Sequence, residues 1–263
     1  MRWITKARAV RRAGARIRRN LGYVVADCEP DNFTYELSNQ GELASWVAEV
    51  TGCPEGQVGA MIAEARADRV LAERLRRATA GRWWWTKPSP PFGKRLAWYA
   101  LVRLSKPTLV IETGVHDGLG SLVLLRALER NLDEGDRGRL VSFDINPAAG
   151  WIVGSHPLWE LRLEAAVAGL PDVLSPGREL GIFIHDSLHT YENERAELAL
   201  AASQLAPHGV LISDNAHASS ALADTCRELG LRYFQFQERP RGHFYGGGAI
   251  GAGRAELPAT TSS

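Results

Sequence analysis

Apolar positions change their period twice along this 263-residue chain. From Pro54 to Ala80, Val58, Met61, Ile62, Ala65, Leu71 and Leu75 recur at helical spacing, with Pro54 in the first turn, and predict one helix. Shorter helices are predicted at Gly41–Val50 and Gly93–Leu104, the latter stopped before Pro107. From Thr108 onward, short apolar runs alternate with amphipathic stretches. Strands are expected at Thr108–Glu112, Leu140–Asp144, Glu160–Glu164, Gly181–Asp186, Val210–Asp214, Arg232–Gln237 and His243–Ile250. Helices are expected at Leu119–Asn131, Tyr191–Leu205 and Ser219–Leu229. Alternation of this kind predicts an α/β domain with a mostly parallel sheet covered on both faces. The expected division is a basic arm over 1–26, a helical cap over 27–104, the α/β domain over 105–253 and an unstructured tail over 254–263.

Charge adds one asymmetry. Residues 1–26 carry eight basic side chains (Arg2, Lys6, Arg8, Arg11, Arg12, Arg16, Arg18 and Arg19) and no acid, against 23 basic and 30 acidic residues in the rest. Such an arm could touch a membrane surface, a nucleic acid or a neighbouring subunit, but it is read as a solvated or disordered segment, with no nucleic-acid partner expected. There is no run of 18 apolar residues, so no membrane span is expected, and the start lacks a signal-peptide core. Cys28, Cys53 and Cys226 are too few and too far apart for a disulfide framework or a zinc site. A reducing cytoplasm and a homo-oligomer are the expectation.

Two predicted strands end in carboxylates, Phe183-Ile184-His185-Asp186 and Leu211-Ile212-Ser213-Asp214-Asn215. Open α/β sheets bind ligands at the carboxyl ends of their strands. If the strands are neighbours, Asp186, Asp214 and the Asn215 amide oxygen can converge on one hard cation, Mg²⁺ or Ca²⁺. His189 follows Asp186 by three residues, where it can serve as a base. His185 faces the other side of its strand and is read as a core residue; His217 is the rival base. The run Trp83-Trp84-Trp85 is a candidate substrate wall or packing seam.

The first strand of the alternating region leads into Glu112-Thr113-Gly114-Val115-His116-Asp117-Gly118-Leu119-Gly120-Ser121. Glycines there let the backbone turn tightly before a helix N-terminus, and Asp144 at the next strand end can hold a ribose. The spacing Thr113-Gly114-x-x-x-Gly118-x-Gly120 also occurs in short-chain dehydrogenases. Those enzymes need a Tyr-x-x-x-Lys pair, however, and Tyr191 leads to Arg195 and Tyr233 to Gln237.

Glu112-x-Gly114-Val115-x-x-Gly118-x-x-Ser121, Asp144, Asp186-x-x-His189-x-Tyr191, and Leu205-Ala206-Pro207-His208-Gly209-Val210 followed by Asp214-Asn215 resemble a class I S-adenosylmethionine-dependent methyltransferase. The likeness is to the metal-dependent O-methyltransferases of macrolide sugars and their cephalosporin-hydroxylase-like relatives, over residues 105–250. It implies a Rossmann-like sheet of seven strands whose last hairpin is antiparallel, here with an N-terminal helical extension. It also implies a Mg²⁺ on Asp186, Asp214 and Asn215, and His189 as base. Glu112, Gly114, Gly118, Ser121 and Asp144 would hold the cofactor. Asn215 stands where the sugar enzymes often carry a second acid, whereas catechol-type enzymes use Asp-Asn, and Ala165–Leu170 lacks the acid that often meets the adenine. The expected activity is Mg²⁺-dependent O-methylation of a small glycoside or secondary metabolite. A catechol or phenol acceptor, or a non-catalytic binding module, is the alternative.

Overall fold

A computed structural model describes residues 34–81, 92–175, 177, 179–243 and 245–255. The basic arm, Cys28, the Trp83–Trp85 run and the chain beyond residue 255 lie outside the described residues.

Four helices precede the sheet: α1 (Gln40–Thr51), α2 (Glu55–Ala67), α3 (Arg69–Ala78) and α4 (Arg95–Ser105). Then follow β1 (Leu109–Thr113), α5 (Leu119–Asp133), β2 (Arg139–Phe143), β3 (Trp159–Arg162), α6 (Ala166–Val173), β4 (Leu180–His185), α7 (Tyr191–Ala202), β5 (Leu205–Ser213), α8 (Ala221–Leu229), β6 (Arg232–Gln237) and β7 (Ala249–Arg254).

The seven strands form one sheet in the order β3-β2-β1-β4-β5-β7-β6. The first five pair in parallel, and β7 runs antiparallel to both β5 and β6. All of β1 and nearly all of β2 and β4 are buried, as strands covered on both faces must be. One face packs against α4, α5 and the front helices; the other packs against α6, α7 and α8. Chain order reverses between β1 and β4, so a crevice opens at the carboxyl ends of those strands.

Several boundaries differ from the sequence reading. The single helix expected over Pro54–Ala80 is broken at Asp68, which leaves the helical region (ψ 104) and accepts a hydrogen bond from Leu71 N at 2.7 Å. An Asp at that spot caps a new helix instead of continuing the old one. Strand β5 begins five residues early, at Leu205, through an irregular stretch beside β4. Strand β7 falls six residues later than expected at its start. Arg254, assigned above to the tail, ends β7 and donates from Nη1 to Val50 O at 2.7 Å. Helix α6 was not foreseen, since Gly169 and Pro171 lie inside it.

Candidate functional site

The site is assembled where β1, β2, β4 and β5 end. Register pairs His185 of β4 with Ser213 of β5. Asp186 N bonds to Thr113 O, and Asp214 N to His185 O, both at 2.8 Å. The two acids therefore leave adjacent strands at the same level, as their sequence positions suggest. Their carboxylates are close enough to share a hydrogen bond. Oxygens of both acids and a nitrogen of His189 lie within 4.8 Å of one another. His189 Nε2 is 3.6 Å from Asp186 Oδ1.

Asn215, the next residue, has φ 56, a left-handed conformation that Asn tolerates better than most side chains. Its Nδ2 lies 3.0 Å from His189 Nε2 and 3.5 Å from Asp214 Oδ2. A carboxylate oxygen only accepts, so the amide nitrogen faces the acids. With Nδ2 donating, His189 keeps Nε2 as an acceptor and its proton on Nδ1. Burial holds the His189 pKa below its ordinary value, which favours the neutral ring.

Beneath the site, α7 turns two acids inward. Glu197 accepts from Thr113 Oγ1 at 2.6 Å and Ser187 Oγ at 2.8 Å, and pairs with His185 Nδ1 at 2.8 Å. Burial pushes its pKa up, but the hydrogen bonds, led by that of His185, outweigh burial and hold it below the usual value. His185 is fully buried, the core residue expected. Glu194 accepts from Ser213 Oγ at 2.6 Å. His217 accepts from Ala249 N through Nδ1 at 3.0 Å.

The glycine loop follows β1. Gly114 has φ 84, and a Cβ there would stand 2.1 Å from the Asp186 carbonyl oxygen, so the loop reaches the acid strand only as glycine. Gly118 (φ 94) caps α5. Asp144 Oδ2 accepts from Val115 N at 2.8 Å and His116 N at 2.9 Å, and Oδ1 accepts from Asn146 N at 2.8 Å. Oδ2 is thus saturated, and Oδ1 keeps one lone pair for a ligand hydroxyl. Glu112 and Ser121 are placed differently from the expected cofactor contacts. They are buried and bonded to each other at 2.6 Å, with Ser142 Oγ donating to the same carboxylate at 2.9 Å. Burial pushes the Glu112 pKa up to about 7. This pair shapes the loop from behind.

Three further residues escaped the sequence reading. Ile145 and Leu163, just past the ends of β2 and β3, are 77% and 53% exposed. Lys94, at the N-cap of α4, reaches into the acid cluster: its Nζ lies 2.5 Å from Asp214 Oδ2. The two side chains are 4% and 3% exposed. Burial alone would lower the lysine pKa, but Asp214, Glu238 and Asp186 together raise it above the ordinary value. Burial and Asp214 raise the Asp186 pKa well above a normal carboxyl, whereas Lys94 overcomes burial to hold Asp214 low. The Lys94 ammonium thus offsets part of the charge of the acid pair.

That charge balance decides the metal question. Mg²⁺ takes near-octahedral oxygen ligands at about 2.1 Å. Here Asn215 turns its nitrogen, not its oxygen, to the acids, and one Asp214 oxygen is held by the ammonium. Unit charges about 4 Å apart at an effective dielectric of 20 repel by about 4 kcal/mol, and a dication doubles that. Asp214 Oδ1 is buried and has no hydrogen-bond partner among the described residues. The residues as arranged do not fit the Mg²⁺ that the sequence suggested.

Residues 111–216 match the sequence model of a family described as a methyltransferase domain. The match runs from before Glu112 to just past Asn215, while His217 and Lys94 lie outside it. Solved structures share its fold. An O-methyltransferase from Streptomyces achromogenes, TomG, involved in tomaymycin synthesis and solved in complex with SAM, is 18% identical over 72% of this chain and 91% of that one, with a TM-score of 0.50. An O-methyltransferase from Bacillus cereus, in complex with SAH, is 17% identical over 71% and 91%, with a TM-score of 0.52. A further one from Klebsiella pneumoniae is 16% identical over 73% and 91%, at 0.51. Such identities show the class I methyltransferase fold and nothing finer. No curated protein matches the chain. No helix among the described residues is long and apolar enough to cross a membrane.

Proposed function

We propose that the chain is an S-adenosylmethionine-dependent O-methyltransferase acting on a hydroxyl of a small glycoside or other secondary metabolite. The observation that carries this is the meeting, at one sheet edge, of the neutral His189 with the loop braced by Asp144. Asp144 Oδ1 keeps a lone pair for a ribose hydroxyl. Exposed Ile145 and Leu163 on neighbouring strand ends offer the apolar surface that an adenine would cover, which gives adenine a site where Ala165–Leu170 offers no acid. The solved relatives with SAM or SAH support the same cofactor. Free Cys53 and Cys226 fit a reducing, cytoplasmic setting.

Bound S-adenosylmethionine would supply an electrophilic methyl on a sulfonium. The acceptor O–H comes to His189 Nε2 in place of the Asn215 amide. The O–H bond breaks toward the imidazole as the acceptor oxygen forms its bond to the methyl and the methyl–sulfur bond breaks. The positive charge passes from sulfonium to imidazolium. Orientation and general-base help are what this requires of the protein, the latter worth about 10²–10⁴ in rate. No step is assigned to Mg²⁺.

Calorimetry with S-adenosylmethionine, followed by transfer of labelled methyl to a panel of glycosides, catechols and phenols, tests the reading. Micromolar cofactor binding with label on a glycoside hydroxyl is expected. Label on catechols alone would move the acceptor class, and tight NADPH binding without S-adenosylmethionine binding would end the proposal.

A further inference from the structure

Lys94 stands 120 residues before Asp214 in sequence, yet the two make a buried ion pair at 2.5 Å. The chain has built a way to deliver it. Gly93 has φ 54, and a Cβ there would be 2.6 Å from Tyr35 Cε2, so the backbone before α4 lies hard against that ring. Tyr35 Oη in turn donates to Glu238 Oε1 at 2.5 Å, and Tyr245 Oη and Gly248 N donate to Glu238 Oε2 at 3.1 and 3.2 Å. The lysine thus sits among Asp214, Asp186 and Glu238, in a setting fixed by segments from both ends of the chain. Resting on the methyltransferase reading above, we propose that Lys94 is the resident cation of the methyl-transfer centre. It fills the place in which the sequence pattern leads one to expect a divalent ion, and the enzyme works without metal.

The role is one of positioning. Lys94 holds Asp214 Oδ2, and Asn215, the next residue, keeps the His189 ring aimed through Nδ2 until the acceptor hydroxyl takes that place. The geometry forbids sharing: a dication on the same carboxylate would face a buried ammonium with no solvent between them to screen it. Removing the ammonium should therefore open the seat. This consequence separates a cation's role from a merely structural one, since a packing residue would not hand its place to Mg²⁺.

The test compares the intact wild-type chain with Lys94→Gln, using Mg²⁺ in thermal melts and Mn²⁺ in electron paramagnetic resonance titrations. Wild type should melt at one temperature in EDTA and in millimolar Mg²⁺, bind no Mn²⁺ in the micromolar range, and bind S-adenosylmethionine equally in both buffers. Lys94→Gln should melt lower and regain about 5–10 °C at a hundredfold excess of Mg²⁺ over its Kd. Its Mn²⁺ affinity should exceed that of wild type by about tenfold or more. Lys94→Gln with Asp214→Asn should lose that response. A wild-type melting temperature that climbs with Mg²⁺, or micromolar Mn²⁺ binding by wild type, overturns the proposal even if the variant fails to fold. A folded Lys94→Gln indifferent to both ions also overturns it. The melts and resonance titrations need no cofactor. Failure of S-adenosylmethionine to bind would therefore strike the functional reading and leave the cation result standing.

Discussion

At the scale of single residues, the readable ones lie at strand ends. Asp186, Asp214 and Asp144 were legible because each closes an apolar run, and a parallel sheet brings such ends together whatever joins them. His189 was legible as a loop residue beside them. Lys94 was not, because it follows a proline-rich run and nothing local marks it as buried. Its partner is fixed by tertiary packing alone. For Glu112 and Ser121, motif position does not say which face of the loop a side chain takes, and both are buried and bonded to each other. His189→Ala should lower turnover by about 10²-fold or more and leave S-adenosylmethionine affinity unchanged, as single-turnover assays and calorimetry would record. Because burial depresses the His189 pKa below 6.5, the rate should rise with pH through an ionisation below that value and be flat above neutrality. An acid limb centred above 6.5 would transfer base duty elsewhere, with His217→Ala the next variant to assay. The sign for stability agrees. The unfolded chain takes the proton first, so this group costs stability as pH falls through 6.5.

At the scale of elements, type was easier to read than extent. The strands buried on both faces announce themselves as apolar runs, and β6 kept its predicted limits. Helix α7 shows what periodicity misses, since its buried face carries Glu194 and Glu197 for the polar floor of the site. Asp68 is the sharper case. It lies within a helical pattern, yet its carboxylate caps α3 and also pairs with Arg126 Nε at 2.8 Å. Asp68→Ala should cost about 1 kcal/mol for the cap, and about 3–5 kcal/mol in all if the pair counts as buried. Asp68→Asn, which can still cap, should cost less. Urea midpoints at constant m would show the ranking. In the glycine loop, Gly114→Ala sets a Cβ against the Asp186 carbonyl in a left-handed conformation. It should abolish S-adenosylmethionine binding by calorimetry even where the protein still folds.

At the scale of the molecule, the front helices and the sheet share one apolar cluster. Helices α1 to α4 enter the same apolar cluster as α5 and one face of the sheet. Arg254 of β7 holds Val50 O at the end of α1, Tyr35 bridges to Phe92, and Leu37 pairs with Pro240. Lys94 carries this union to Asp214, so the front helices reach the proposed centre as well as the core. A sequence read in order suggests modules, because composition changes near residue 105, but the sheet needs cover on both faces and the helical front provides one of them. Cooperative unfolding should follow. Fluorescence of tryptophans in the front helices, Trp46 and Trp98 among them, and far-UV circular dichroism of the whole chain should give coincident urea transitions with one midpoint. Lys94→Gln, which loosens the joint between the two regions, should lower that midpoint without splitting it. An early fluorescence transition ahead of the dichroism would mean that the front helices melt alone. Lys94 would then be a detachable contact, not part of the centre's permanent structure.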